Sequence, residues 1–293
     1  MLSGMRAAML AMPRLLASIP PPTRTAHRDP LVVIIGPPRS GTTLTYQLIV
    51  RHLACSYVSA AHAALHGAPW LLEPLVRRID PGRAVGFESD HGRTLGIHGP
   101  HEASRLWNRL FPDDRPADLL RVRNELRLWI ELAGRCLVCK NVMHVLRMRE
   151  LAAALTEVRF IRVRRDPLAV ARSLLRARES QSGGREGWFS LRPPGWEALQ
   201  ACSPTEQVVG QVMLTELAID RASSSIGQDR VLTVDYACLC TDPATELARV
   251  SAFAGGIALR STPQPRAERG SVLGDADEAA LAAALARWSA HHR

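Results

Sequence analysis

The sequence is poor in aromatic residues and nearly lacks lysine. Aromatic side chains make up 5% of the 293 residues, and Lys140 is the single lysine. Surfaces that bind nucleic acid interleave basic residues with aromatic ones on which bases stack, so this composition argues against a nucleic-acid partner. The net charge of +9, supplied mostly by arginine, still favours an anionic ligand. Charge alone does not identify that ligand.

Long apolar runs and spaced metal ligands are also missing. No stretch is long enough to cross a bilayer as a helix, so we expect no transmembrane segment. Cys136 and Cys139 form one C-x-x-C pair, with neither a second pair nor a histidine at zinc-binding spacing. A structural zinc site needs four ligands, so we expect no metal. Six cysteines suit the reducing cytoplasm if they are thiols.

The first thirty residues differ from the rest of the chain. Pro13 and Arg14 interrupt their apolar part and Pro20, Pro21 and Pro22 follow, which makes a poor signal peptide. We expect residues 1–30 to be a flexible tail, or the result of a wrongly assigned start codon. Residues 31–293 are then one domain, and the hydrophobic content of 46% is enough for a sizeable core.

Three apolar runs predict the fold class. They are Leu31–Ile35, Val158–Val163 and Val231–Val234, and each is followed by apolar residues at helical spacing. Strands that alternate with helices indicate a parallel sheet covered on both faces. We therefore predict an α/β fold with three αβα layers and a central parallel sheet. Two stretches, Gly82–Pro116 and Gly183–Pro194, have the composition of irregular loops, where substrate-binding residues commonly lie.

The segment from Gly36 to Thr43 (GPPRSGTT) has the outline of a phosphate-binding loop. It joins a strand to a helix N-terminus, where free N–H groups and the helix dipole attract anions. Its candidate ligand-binding residues are Arg39, Ser40, Gly41, Thr42 and Thr43. A P-loop kinase has lysine where Thr42 stands, and no aspartate at a strand end completes a magnesium site. The loop suits phosphate binding better than metal-assisted phosphoryl transfer.

A second candidate phosphate site follows the middle strand. Arg165 stands at the end of that strand, and Pro167 opens the next helix at its favoured first position. Ser173 lies about two helical turns further on. The guanidinium of Arg165 and the hydroxyl of Ser173 can contact one phosphate if this helix passes the ligand.

Taken together, the two motifs resemble those of the sulfotransferase family that uses 3′-phosphoadenosine 5′-phosphosulfate (PAPS) as the sulfate donor. The family's 5′-phosphosulfate loop, P-R/K-S-G-T-T, matches Pro38–Thr43, and its 3′-phosphate motif, R-D/N-P followed by serine, matches Arg165–Ser173. Asp235-Tyr236 and Asp242-Pro243 resemble a later segment of the family. The similarity is good from Val32 to Ser56 and from Arg135 to Glu179, and looser from Val231 to Gly256. It implies a P-loop-like nucleotide-binding fold, PAPS as the donor, and direct in-line transfer without a metal.

The resemblance also implies roles for single residues. Arg39, Thr42 and Thr43 would hold the 5′-phosphosulfate, whereas Arg165 and Ser173 would recognise the 3′-phosphate. The segment Val138–Asn141 (VCKN) resembles one in protein-tyrosine and bacterial sulfotransferases whose lysine assists the transfer. Lys140 and Arg39 would then neutralise the charge that develops on the leaving group.

The base that deprotonates the acceptor is left open. Glu102 is favoured, because Gly99–Glu102 (GPHE) followed by Trp107 resembles a motif of some bacterial sulfotransferases. His91 is the second candidate and His62 a more remote one, and the same insertion also holds Glu88, His98 and His101. A departure lies near the C-terminus, where Arg266–Gly270 is only a loose equivalent of the family's closing Arg-Lys-Gly.

Two other kinds of function remain as alternatives. One is a P-loop kinase that acts on a small molecule, for which a magnesium requirement would be evidence. The other is a non-catalytic protein that binds phosphate or nucleic acid. The acceptor is open among carbohydrate, lipid, peptide and small metabolite, and the oligomeric state is not predicted. Four tryptophans near the irregular segments are candidates for either the acceptor pocket or the core: Trp70, Trp107, Trp188 and Trp196.

Overall fold

A five-stranded sheet with parallel pairing lies at the centre of the structure, a computed structural model. Its strands are β1 (Leu31–Ile35), β2 (Ser56–Tyr57), β5 (Leu137–Lys140), β6 (Arg159–Arg164) and β7 (Val231–Asp235), in the spatial order β2-β5-β1-β6-β7. A separate antiparallel pair consists of β3 (Ser89–Asp90) and β4 (Arg93–Thr94). The structure describes residues 30–76, 89–90, 93–94, 96–181, 183–268 and 270–291.

Helices connect the strands. Those of the described residues are α1 (Thr42–His52), α2 (Ala60–Ala64), α3 (Glu73–Val76), α4 (Ser104–Leu110), α5 (Leu119–Ala133), α6 (Met148–Ala154), α7 (Pro167–Glu179), α8 (Pro204–Ile226), α9 (Tyr236–Thr241), α10 (Pro243–Phe253) and α11 (Asp275–His291). Short 3₁₀ turns lie at Pro69–Leu72, Val142–Val145, Gly184–Glu186, Trp196–Leu199 and Gln228–Arg230. None of these described helices is both long and apolar enough to cross a membrane.

The strand β1 is buried on both faces, as expected for the middle of a parallel sheet. Leu31, Val33 and Ile35 belong to the core on one face, which includes residues of α5 and α6. Val32 and Ile34 belong to the core on the other face, with residues of α1 and α10. The sheet therefore lies between two layers of helices, which confirms the predicted three-layer α/β architecture. A third cluster joins α7, α8 and α11.

Several local predictions differ from the structure. The periodic residues between Val145 and Leu155 predict one helix, but the chain forms a 3₁₀ turn up to Val145 and then α6 from Met148 to Ala154. The stretch Gly82–Pro116 is not wholly irregular, because α4 buries Leu106 and Trp107 in the core. The predicted tail, apart from Pro30, lies outside the described residues, as do Glu88 and His91.

The parallel topology brings the sequence motifs together. Strands β1, β5, β6 and β7 point the same way, so their carboxyl ends meet at one edge of the sheet. That edge is where open α/β sheets bind ligands. The residues that follow or end these strands are Gly36, Lys140, Arg165 and Tyr236.

Candidate active site

A cavity of about 410 Å³ lies at this edge of the sheet. The predicted residues that line it are Arg39, Gly41, Thr42, Thr43, Glu102, Lys140, Arg165 and Ser173. Ser40 is fully buried rather than on the cavity wall, and its Oγ has no hydrogen-bond partner among the described residues. The structure therefore brings both phosphate motifs and the single lysine to one place. His91 lies outside the described residues.

The loop before α1 has the backbone conformation of a tight anion-binding turn. Arg39 has φ 71° and Gly41 has φ 105°, both in the left-handed region. No side chain caps the first turn of α1, so its N–H groups can bind an anion. A Cβ atom on Gly41 would overlap the ring of Tyr236. Position 41 thus requires glycine for two reasons: the backbone has a positive φ, and the ring of Tyr236 leaves no room for a side chain.

The two predicted phosphate sites touch each other. Nε of Arg39 donates to Oγ of Ser173 at 3.1 Å, across 134 residues of sequence. Nη1 of Arg165 donates to the carbonyl oxygen of Arg39 at 3.4 Å, and its guanidinium lies 4.2 Å from the centre of the Tyr236 ring, a cation–π contact. Burial, and then the neighbouring charge of Arg165, lower the pKa of Arg39. Two guanidinium groups held this close favour a bound anion.

Lys140 links the loop to the opposite wall of the cavity. Its Nζ donates to Oγ1 of Thr43 at 3.3 Å and forms an ion pair with Oε1 of Glu102. The side chain of Lys140 is 8% exposed and that of Glu102 31% exposed. A carboxylate and an ammonium group therefore lie side by side next to the loop before α1, and such a pair can accept a proton and stabilise developing negative charge.

The cavity carries an excess of positive charge. The described residues that line it include the cations Arg39, Lys140, Arg165 and Arg266, against Glu102 as the carboxylate. These described lining residues therefore carry four positive charges and one negative charge, and the negative charge is paired with Lys140. Such a distribution favours a ligand with more than one negative charge.

The other described candidates for the base, His62, His98 and His101, are not among the described residues that line the cavity. His62 is fully buried, and its Nδ1 is 2.9 Å from Oγ of Ser59 and accepts from that residue's N–H at 3.1 Å. Its Nε2 lies 3.4 Å from Oε2 of Glu73, so His62 belongs to the core. The Nδ1 of His101 accepts from the N–H of Ala103 at 2.8 Å, inside the turn that carries Glu102.

Sequence reasoning missed part of the cavity wall. Tyr236 was recognised only within the looser late segment of the resemblance, although its position directly after β7 was a usable signal. Phe189 and Ser190 also line the cavity. They lie in the second irregular stretch, Gly183–Pro194, whose composition did not indicate which of its residues would reach a site. Arg266 and Ser271 also line the cavity, so the segment described above as a loose equivalent of the family's closing motif does reach the site.

The tryptophans are placed outside the cavity. Trp107 is fully buried and Trp70 is 6% exposed, so both belong to the core. Trp188 and Trp196 pack against each other with ring centres 5.3 Å apart. Among the described lining residues there is no tryptophan, which favours core and surface packing over an acceptor pocket for these side chains.

Comparisons with known proteins show which proteins this chain is similar to. A family model described as "Sulfotransferase family" matches residues 30–257. Among solved structures, the chain is similar to a Mycobacterium avium sulfotransferase (18% identity, TM-score 0.49, covering 98% of this chain and 72% of that one). It is also similar to an Alicyclobacillus acidocaldarius sulfotransferase (16% identity, TM-score 0.48, covering 91% and 96%). No curated protein matches the sequence.

Proposed function

This chain belongs to the sulfotransferase family, and from that premise we propose that it moves a sulfuryl group from PAPS to a hydroxyl or amine acceptor. The observation that carries the proposal is the contact between the two phosphate motifs inside one cavity, where Arg39 donates to Ser173. PAPS has phosphate on both the 5′ and the 3′ side of one ribose. A site with two adjacent anion-binding groups suits that donor better than a nucleotide phosphorylated on one side only.

Each motif has a defined role in this proposal. The N–H groups of Gly41 and of the first turn of α1, with the hydroxyls of Thr42 and Thr43, hold the 5′-phosphosulfate. The 3′-phosphate binds Arg165 and Ser173, and Arg39 lies between the two groups. Arg266 reaches the same cavity and adds positive charge near the bound anion.

The reaction is a direct in-line transfer. The acceptor oxygen or nitrogen forms a bond to the sulfur while the bond between the sulfur and the oxygen of the 5′-phosphate breaks, and the bond's electrons leave with that oxygen. Lys140 and Arg39 stabilise the negative charge on the leaving oxygen. Glu102 takes the proton from the acceptor. The products are the sulfated acceptor and adenosine 3′,5′-bisphosphate. Glu102 is preferred as the base because its carboxylate pairs with Lys140 beside Thr43.

The kinase alternative fits the cavity less well. Thr42 occupies the position of the lysine that a P-loop kinase uses. Among the described residues lining the cavity, Glu102 is the carboxylate that could hold magnesium, and it is engaged by Lys140. A magnesium-dependent nucleotide site usually needs an aspartate beside the loop.

We also propose that residues 31–293 form the sulfotransferase domain, which extends beyond the matched range to include α11. The described cysteines are free thiols, among them the exposed Cys238. This suits the reducing environment of the cytoplasm. The acceptor class stays open among small molecules, carbohydrates, lipids and peptides.

Calorimetric titration without magnesium tests the donor site. We expect adenosine 3′,5′-bisphosphate to bind in the micromolar range, and AMP and ATP to bind more weakly. Arg165→Ala should weaken bisphosphate binding about tenfold to a hundredfold, since hydrogen bonds to a charged group contribute ~1.5–3 kcal/mol. Ser173→Ala should weaken it less, while affinity for AMP should change little in both variants.

Arg164→Ala is the matched control for this experiment. Arg164 is the exposed neighbour of Arg165 at the end of β6, so its replacement removes the same charge outside the cavity. Bisphosphate affinity should stay within about twofold of the wild type if exposed charges are mostly screened. Tighter binding of ATP that requires magnesium would contradict the proposal and favour a kinase.

A further inference from the structure

Glu102 and Lys140 approach each other from segments that are far apart in the chain. Lys140 is the last residue of β5, whereas Glu102 lies in the turn before α4. A partly exposed ion pair holds its own geometry weakly. The relative position of the two groups must therefore come from the turns that carry them.

Asn141 joins these two turns. Its Nδ2 donates to the carbonyl oxygen of Glu102 at 3.0 Å and to Oγ of Ser104 at 3.2 Å. Its Oδ1 accepts from the N–H of Met143 at 2.9 Å and caps the following 3₁₀ turn. Asn141 is 2% exposed. Both ends of its amide are thus engaged away from water, where hydrogen bonds hold their partners most firmly.

The turn that carries Glu102 also has a strained backbone. Ala103 has φ 47°, in the left-handed region that residues with a Cβ rarely adopt. Its N–H donates to Nδ1 of His101, and α4 begins at the next residue, Ser104. Strain of this kind persists where surrounding contacts impose it, and it is concentrated at functional sites. The amide of Asn141 supplies such contacts on both sides of Ala103.

We infer that Asn141 is a positioning residue that sets where the carboxylate of Glu102 lies relative to Lys140 and Thr43. The inference rests on the proposed function, in which Glu102 is the base. Asn141 acts through its donating end, because its accepting end only caps the adjacent turn. Without that donation the carboxylate moves away from Lys140 and from the acceptor, while the donor site, formed by other turns, stays intact.

The variant Asn141→Ser separates the two ends of the side chain. Serine is a good helix cap and can still accept from the N–H of Met143, but it is too short to reach the carbonyl oxygen of Glu102. Asn108→Ser is the matched control. Asn108 is exposed on α4 and accepts from Arg147, so the same substitution there alters a nearby contact without touching Glu102.

The single lysine gives a direct readout. Acetylation of Lys140 by an N-hydroxysuccinimide ester, followed by peptide mass spectrometry, reports how tightly Glu102 shields this amine. We expect Asn141→Ser to be acetylated about twofold to fivefold faster than the wild type, as when a partly exposed ion pair is loosened. Asn108→Ser should match the wild-type rate, and both variants should bind adenosine 3′,5′-bisphosphate with wild-type affinity.

Steady-state kinetics gives the second readout. With PAPS and an acceptor, kcat of Asn141→Ser should fall about tenfold to a hundredfold while KM for PAPS is unchanged, as when a reacting group is misplaced by a fraction of an ångström. If Asn141→Ser destabilises the fold, Asn141→Asp keeps the volume and the cap but turns an acceptor toward the carbonyl oxygen of Glu102. It should show the same split between kcat and KM.

The outcomes separate this inference from the proposed function. A wild-type acetylation rate and an unchanged kcat in a folded Asn141→Ser variant would overturn the positioning role but leave the donor site standing. If Asn108→Ser accelerates the acetylation of Lys140 as much as Asn141→Ser does, the effect is a general loosening of this region of the fold, and the positioning role of Asn141 is overturned as well. Failure of the wild-type protein to bind the bisphosphate would instead reject the proposed function, whatever the acetylation rates are.

Discussion

At the scale of single residues, the candidate site depends on how closely backbone and side chains approach each other. Gly41 lies against the ring of Tyr236, and the same ring lies beneath the guanidinium of Arg165. One aromatic side chain thus contacts both the loop before α1 and the guanidinium of Arg165. The spacing between the two anion-binding groups is therefore sensitive to small changes at position 41.

Replacement of Gly41 tests this contact. Gly41→Ala should weaken bisphosphate binding at least about tenfold, because the new Cβ would displace the Tyr236 ring and strain the left-handed backbone. Gly134→Ala is the control. Gly134 also has positive φ, 60°, but a Cβ there would meet nothing within 4 Å, so this variant should lose stability and keep its affinity. Calorimetry and urea unfolding measure the two effects, and equal affinities in both variants would refute the expectation.

At the scale of elements, short helices at the carboxyl edge place the side chains of the cavity. The helix α9 has six residues, and its N-cap Asp235 accepts from the N–H groups of Ala237 and Cys238. Its first residue is Tyr236. The N–H of Arg266 donates to the carbonyl oxygen of Cys240 in the same helix. This short helix therefore anchors two parts of the cavity wall.

Loss of the α9 cap should therefore affect ligand binding as well as stability. Asp235→Ala should lower the urea midpoint, as cap removal does, and weaken bisphosphate binding severalfold because Tyr236 shifts. Asp242→Ala removes the cap of the neighbouring α10, where Asp242 accepts from the N–H of Thr245, and should lower the midpoint alone. If both variants bind equally well, α9 does not control the position of Tyr236.

At the scale of the whole molecule, buried ionisable groups make stability depend on pH. His144 is fully buried, and burial, followed by the charges of Arg147 and Lys140, holds its pKa well below the ordinary value of about 6.5. In the folded protein this imidazole stays neutral, whereas in the unfolded chain it takes up a proton as the pH falls. Its contribution to stability is therefore complete above pH ~6.5 and is lost progressively below that pH.

We expect the unfolding free energy to decrease from pH 7 to pH 5.5. The part due to His144 has a slope of at most about 1.4 kcal/mol per pH unit, the limit for one proton. His144→Met should flatten the slope by up to this amount, measured by urea unfolding at several pH values. His66→Gln serves as the control because His66 is not buried, and its slope should match the wild type. An identical slope in His144→Met would contradict the role of this histidine.

The sequence predicts the framework of the fold well because strand and helix signals are local. The run Leu31–Ile35 is a strand at the predicted residues, since a continuous apolar run before a glycine suits a strand buried on both faces. The helix α4 was missed. Its apolar residues lie in a stretch rich in glycine, histidine and arginine, and long-range packing of Trp107 overrides that composition.

The candidate site could be predicted in part for the same reason. The roles suggested for Arg39, Arg165 and Ser173 came from the resemblance of two local motifs to those of a known family, and the structure places these three residues in one cavity. The sequence also favoured Glu102 over the histidines, but nothing in it paired Glu102 with Lys140. The sequence did not predict a role for Asn141, because Glu102 and Ser104, which it contacts, are 39 and 37 residues away in the chain.

The sequence by itself thus determined the fold class, the two candidate phosphate motifs and the single lysine. Each of these depends on consecutive residues whose spacing reflects one strand, one loop or one helix. Only the tertiary structure decided which of these groups meet. The parallel order of β5, β1, β6 and β7 brings their carboxyl ends to one edge, and the contacts between Arg39 and Ser173 and between Glu102 and Lys140 arise there. Such contacts depend on how distant segments pack, and that packing is a property of the whole chain rather than of any local pattern.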